Sequence, residues 1–436
     1  METKDRLQVG IDVGKNKVDL AFLAPGGELL QKHRSFANSA VGYSQARALL
    51  LEVLRSHAFE GVDIAAEATS YYWLPFFNQL AQDPSLAEFH PRQLLINAGW
   101  VKWFKKSMPP DHKSDSSDPY YIAERLRSLP GKYWWQFDEH WLALRIRTRL
   151  HAHLSKSLVR EKSYYQIFLF LSHSAYTQAE PFSDIFGVLS QTLLDQPELL
   201  VELEQLPNPD LAARLDELSL HHLRDPLQTA THLKQALEES FPVPANLQPA
   251  LQDTLHRLSL IIQTLQEQIQ TLDAEIRTLA QNNYPEVAYL QSVPGVGPIS
   301  ASGIAPEIAG LQRFEDPLKW DNRRNAYRPR TLREVEDAVA KFAGLWWPQN
   351  ASGQFVAEDR PLSKRSNAYL RYYLILAADH MRRDIPSYSQ FYLRKYAQAT
   401  KHHHKRALAL TARKAVGLFV ELLHHHEDFR PEELCA

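Results

Sequence analysis

The chain has 436 residues, 44% hydrophobic and 23% charged, enough apolar side chains for a sizeable core and length for two or three domains. Its one cysteine, Cys435, excludes a disulfide framework and a thiolate metal cage. The formal net charge of −2 gives no global pull on a polyanion. No run of about 18 apolar residues marks a membrane span, and the opening METKDRLQVGIDVG lacks the apolar core of a secretion signal, so the cytoplasm is the expected compartment.

In chain order, the first 130 residues predict an α/β domain. Leu7–Val13, Lys17–Leu23 and Glu28–Phe36 are short alternating runs, and a Pro25-Gly26-Gly27 turn separates the last two. They predict a three-stranded antiparallel meander. A helix over Tyr43–His57 follows, then a buried strand over Val62–Ala66, a helix over Trp73–Gln82 and a strand over Gln93–Asn97. Four carboxylates stand out on this plan. Asp12 ends the first strand and Glu67 the fourth, so parallel pairing of the two would project both from one sheet edge. Asp115 and Asp118, three apart in KSDSSDPYY, would share a helical face. Pro119 suits a first helical turn, which also makes Asp118 a candidate N-cap with Asp115 in the loop before it. Four clustered carboxylates repel strongly unless divalent cations lie between them, so Mg²⁺ or Mn²⁺ is the expected cofactor.

Residues 142–162 predict a basic helix carrying Arg145, Arg147 and Arg149. The Leu- and Gln-rich stretch 163–245, broken by prolines, predicts several shorter helices. From Leu247 to Leu279 ten apolar residues recur at heptad spacing. That pattern predicts a helix of roughly 50 Å, either an oligomerising coiled coil or a long helix packed within its own domain. Residues 285–430 read as helical and basic. There, Pro294-Gly295-Val296-Gly297 is either a helix-hairpin-helix turn, whose Gly295 and Gly297 let N–H groups approach phosphate, or a plain glycine turn. Ser352-Gly353 lies in WWPQNASGQF, ahead of RPLSKRSNAYLRYYL, where Lys364, Arg365 and Arg371 are candidate cations for nucleic acid. Between Arg360 and Lys414 there are 13 Lys and Arg against Asp379 and Asp384, a local footprint for a polyanion. His402–His404 and His424–His426 lack metal-ligand spacing.

The motifs IDVGK, AAEAT and KSDSSD, followed by a basic helix, a heptad helix, SVPGVGP, a Ser-Gly loop and KRSNAYLRYYL, together resemble the DEDD transposases of the insertion-sequence-110 type, which are bridge-RNA-guided recombinases. The resemblance implies an α/β-plus-α chain. It would comprise an RNase H-like (RuvC-like) catalytic domain over 1–135, a basic helix and helical linker over 136–245, a coiled coil over 246–283 and a mostly helical transposase domain over 284–436. It places an acidic tetrad on Asp12, Glu67, Asp115 and Asp118 and a catalytic serine on Ser352. It further implies donor and target DNA, a structured bridge RNA, and a homo-oligomer, dimer to tetramer, in which the tetrad of one protomer meets the serine of another. A prokaryotic, nucleoid-associated setting goes with it. The chain departs from the family pattern at Ser114, Pro119 and Ser366. A hydrolytic RuvC-like junction nuclease and a non-catalytic nucleic-acid scaffold are the rival readings of the same residues. A sugar-kinase-like ATPase, suggested by the first hairpin, lacks its further phosphate and adenosine motifs.

Overall fold

The computed structural model describes residues 6–67, 70–96, 98–107, 118–128, 139–308, 310–315, 319–321, 323–347, 351–352, 355–356, 362–363 and 366–431. They fall into two units, one formed by 1–143 with 308–436 and the other by 144–307.

The N-terminal part of the first unit is built on a five-stranded sheet. Its strands are β1 (Arg6–Val13), β2 (Lys17–Leu23), β3 (Leu29–Ala37), β4 (Gly61–Glu67) and β5 (Arg92–Ile96), in the spatial order β3-β2-β1-β4-β5. The first three form an antiparallel meander, while β4 joins β1 in parallel and β5 joins β4 in parallel. Helices α1 (Ala40–Ser56), α2 (Trp73–Gln82), α3 (Ala98–Ser107) and α4 (Asp118–Ser128) complete this part. Both faces of β1 are covered, so its residues are buried almost throughout even though Arg6, Gln8 and Asp12 alternate with apolar side chains. One face puts Leu7, Val9 and Ile11 into a core with Leu50 and Leu54 of α1 and Phe76 and Phe77 of α2. The other carries Gly10 and Asp12, with Ala21 and Leu23 of β2 and Ala65 of β4 packing against Ala123, Ile122 and Leu126 of α4.

At the far end of the same face, buried Asp63 takes Arg6 at 2.8 Å and Arg92 at 2.6 Å, tying β1, β4 and β5 together. Burying that carboxylate is tolerable only because both guanidinium groups meet it.

The second unit is helical. It contains α5 (Glu139–Ser172) from Leu144 onward, α6 (Tyr176–Ala179), α7 (Val188–Asp195), α8 (Pro197–Glu204), α9 (Asn208–Leu218), α10 (Pro226–Glu238), α11 (Gln248–Asn283), α12 (Pro285–Gln291) and nearly all of α13 (Pro298–Ile308). Helix α5 runs ten residues beyond the predicted basic helix, because SYYQIFLFLS supplies further inward positions, Tyr165 and Leu169, once the charges stop. Helices α5 and α11 are antiparallel. As α5 advances through Arg147, His151 and Tyr165, its partners on α11 recede through Glu275, Asp273 and Ser259, the last bridged by Gln191.

The heptad seam of α11 is largely occupied within this unit. Leu255, Leu258 and Ile262 join a core with Tyr165 and Leu169 of α5, Leu193 of α7, Leu211 of α9 and Leu233 of α10. Leu272 and Ile276 are buried as well.

The C-terminal part of the first unit comprises α14 (Gln312–Glu315), a two-stranded ribbon of β6 (Lys319–Asp321) and β7 (Ala326–Arg328), α15 (Leu332–Ala343), a second ribbon of β8 (Ala351–Ser352) and β9 (Phe355–Val356), α16 (Ala368–Asp384), α17 (Pro386–Gln398) and α18 (His403–His425). Small residues on α18, Ala407, Ala412 and Ala415, let α15, α16 and α17 approach it closely, with Val416 and Phe419 filling between.

Candidate functional site

Strand β1 brings Asp12 to the sheet edge, and its parallel neighbour β4 brings Glu67 to the same edge, one position beyond the Ile11–Ala66 pairing. Antiparallel pairing with β2 sets Asp19 directly opposite Asp12. Side chains alternate along strands, so all three carboxylates lie on the face that α4 covers. What admits α4 is Gly10. A Cβ there would overlap the Pro119 carbonyl oxygen and the Ala123 backbone nitrogen. Only glycine lets the helix start against the strand, and Asp118, the first residue of α4, is thereby brought to this end of β1. The helix begins at Asp118 with Pro119 following in its first turn, so Asp118 sits at the very entry of α4.

The electrostatics are those of an acidic cluster held in check by lysines. Burial raises the Asp12 carboxyl above the ordinary range and the Asp19 charge adds to this, while Lys105 and Lys17 act against both. Glu67 is raised by burial and then by Asp12, again with Lys105 opposing. Lys105, on α3, also donates to Asp118, so its ammonium serves three carboxylates at once. Burial alone would raise Asp19 too, but hydrogen bonds from Lys17 and Ser35 outweigh it and hold that carboxyl below the ordinary range. Asp19 is thus a committed carboxylate, 3% exposed, next to Asp12.

Of the predicted tetrad, the structure brings Asp12 and Glu67 together and turns Asp118 to Lys105. Asp115 lies outside the described residues, among which no three His, Cys, Asp or Glu side chains are close enough to hold a metal ion. The pair nevertheless suits a hard divalent cation. Two carboxylates whose proton affinity is raised by burial and by neighbouring negative charge offer oxygen donors and a field that such an ion would relieve.

Ser352 ends strand β8 and pairs with Phe355 of β9, in the connection between α15 and α16. That connection is fastened at its root. The Ser363 N–H donates to the Trp346 carbonyl at 3.1 Å and the Asn367 N–H to the Phe342 carbonyl at 2.7 Å. Asn367 caps α16 by accepting from Tyr369 and Leu370 N–H groups. Arg371, expected as a cation for nucleic acid, donates to the Ser363 carbonyl and the Ser366 hydroxyl. Its guanidinium is engaged in holding the loop. Lys364 and Arg365 lie outside the described residues.

Two of the arginines expected on the basic helix are also engaged within the chain. Arg145 donates to the Pro306 carbonyl, and Arg149 pairs at 2.6 Å with Glu307, which is 2% exposed. Arg147, 3.7 Å from Glu275 in a largely solvated pair, keeps most of its reach. In the glycine turn between α12 and α13, Gly295 has φ +84°, which demands glycine, and Gly297 faces open space.

Two family models match the chain. Residues 9–170 match that of the IS110-type DEDD transposases, described as "Transposase", and residues 330–393 match that of the "Transposase IS116/IS110/IS902 family". The chain belongs to the IS110-type DEDD transposases. The first match spans Asp12, Glu67, Asp115 and Asp118 of the transposase, and the second spans Ser352 and the Asn367–Arg371 clasp. No curated protein matches the transposase. No helix among its described residues is long and apolar enough to cross a membrane.

The residues of this site that sequence reading missed are Gly10, Asp19 and Lys105. The Asp12–Asp19 pairing needs a register, and Gly10 needs a helix more than 100 residues away. Lys105 carries no motif. Asn367 had one signal, an Asn ahead of a helical run, which marks a cap as readily as a ligand contact.

Proposed function

We propose that this transposase cuts and rejoins DNA through an RNase H-like acidic centre and a serine nucleophile. The observation that carries the reading is the placement of Asp12 and Glu67 side by side on adjacent parallel strands beneath α4. The strand order β3-β2-β1-β4-β5, antiparallel then parallel, supports the RNase H-like assignment. Asp12, Glu67, Asp115 and Asp118 would hold Mg²⁺ or Mn²⁺. When bound, the metal would supply positive charge to the phosphate and to the oxygens around it.

Ser352 is the proposed nucleophile. Its Oγ attacks phosphorus and loses its proton, and the bond to the 3′ oxygen breaks, leaving a free 3′-hydroxyl and a 5′-phosphoserine. The phosphodiester energy is conserved in that linkage, so rejoining by attack of another 3′-hydroxyl needs no nucleotide cofactor. Support comes from the clasp of Trp346–Ser363, Phe342–Asn367 and Arg371, which fixes the root of the serine's loop. On the family resemblance, a bridge RNA pairs with donor and target DNA, and the acidic centre of one protomer meets the serine of another. With much of the α11 seam occupied by α5 and the short helices, association would draw on exposed residues such as Ile146, Leu150 and Ile167 of α5.

Incubating the chain, its element's RNA and matching DNA with Mg²⁺ tests the acidic centre. Strand cleavage should require the metal and fall by about 100-fold or more in Asp12→Asn. Cleavage by that variant at the wild-type rate would refute the assignment.

A further inference from the structure

Beside the root of the serine's loop lies a cavity of about 480 Å³. Trp347 and Leu362, the residues on either stem of that loop, form part of its wall, and Ala409 and Leu410 of α18 add to the apolar side. His402, Lys405 and Arg406, at the start of α18, supply the polar rim. The volume falls within the range of small-molecule and nucleotide sites. The lining calls for an occupant with a flat unsaturated body to lie against an indole and an anionic group to meet the basic rim at Lys405. A nucleotide has both parts.

We propose that this cavity receives one unpaired nucleotide of the DNA strand being cut, its base against Trp347 and its phosphate at Lys405. The location selects DNA over RNA, because both stems of the loop that carries Ser352 line the cavity. A nucleotide seated there lies at the root of the loop that carries Ser352, so the pocket holds the strand being cut at that loop and favours sites where a base has left the stack. Stacking on an aromatic ring is tolerant of base identity, so the pocket selects for an unpaired base and not for a sequence.

The proposal rests on Ser352 as the nucleophile, and its test is read from binding alone. Anisotropy titrations compare a DNA duplex carrying one unpaired thymidine with the fully paired duplex. The full chain should prefer the first by about tenfold. Trp347→Ala should bring the ratio close to one with paired-duplex affinity unchanged, and Trp347→Phe, which keeps a ring and guards against a folding defect, should retain most of it. Lys405→Gln should weaken binding of the unpaired probe and reduce its salt slope by about one. Ser352→Ala should keep the full preference, so a failed nucleophile assignment, read from cleavage, is distinguishable from a failed pocket. A preference that survives Trp347→Ala, or a stronger preference for the same unpaired nucleotide in RNA, overturns the proposal.

Discussion

At the scale of single residues, the acidic edge is a source of instability that the fold sustains. The folded-state proton affinities of Asp12 and Glu67 are raised, by burial first and by neighbouring charge second. As pH rises from the ordinary carboxylate range through the raised values, the folded chain holds protons the unfolded chain has lost. The pair's contribution to stability therefore falls across that window. Asp12→Asn should accordingly raise the melting temperature of the metal-free protein at neutral pH and flatten its decline through that window. Added Mg²⁺ should stabilise the parent and leave the variant nearly unchanged. Thermal melts across pH, with and without chelator, measure all of this.

Gly10 makes the complementary point. Its Cβ-free surface is what α4 rests on, so Gly10→Ala should cost about 1–3 kcal/mol in urea unfolding and displace Asp118 with the helix. Asp12 and Glu67 were legible from the sequence because each closes a recognisable strand, the first marked by alternation and the fourth by a buried run. Gly10, Asp19 and Lys105 were not, since their roles come from register and from contacts distant in the chain.

At the scale of elements, alternation and periodicity located the five strands and helices α1 and α2 of the α/β part closely, while α3 went unpredicted. Trp73–Gln82 coincides with α2, and the other predicted bounds lie within a few residues. A heptad shows that a helix needs a partner along one stripe but does not show which chain supplies it. In the structure α5 and the short helices α7, α9 and α10 supply much of it. The reach of α5 beyond Lys162 was hidden because charge and aromatic content change there while the helix continues.

Ile262→Ala, at a position 2% exposed, should destabilise the protein by about 2–5 kcal/mol, by an amount independent of protein concentration. Leu260→Ala, on the outer side, should stay within about 0.5 kcal/mol. Urea titrations at two protein concentrations tenfold or more apart check both. A loss at Ile262 that grows on dilution would place the seam between chains.

At the scale of the whole molecule, the two ends of the chain carry different halves of the proposed chemistry. The α/β part gathers the carboxylates and the C-terminal helices secure the serine's loop. The basic composition of 360–414 was read as a polyanion footprint, and the structure shows part of it serving the fold. Arg371 clasps the loop, Arg382 lies over Tyr392 and Lys414 over Tyr388. Lys405 and Arg406 line the cavity beside that loop. Charge counting cannot separate these uses, because a guanidinium that braces a loop and one that meets a phosphate are the same letter in the sequence.

The central claim is that Ser352 attacks DNA in cooperation with the acidic edge. Trapping the cleaved complex by denaturation, digesting the protein and sequencing the DNA-bearing peptide tests it most directly. The account predicts a 5′-phosphate ester on Ser352, absent from Ser352→Ala and from Asp12→Asn. Strand cleavage by Ser352→Ala at the parent rate, with a free 5′-phosphate and no DNA-linked peptide, would contradict it and leave a hydrolytic nuclease in its place.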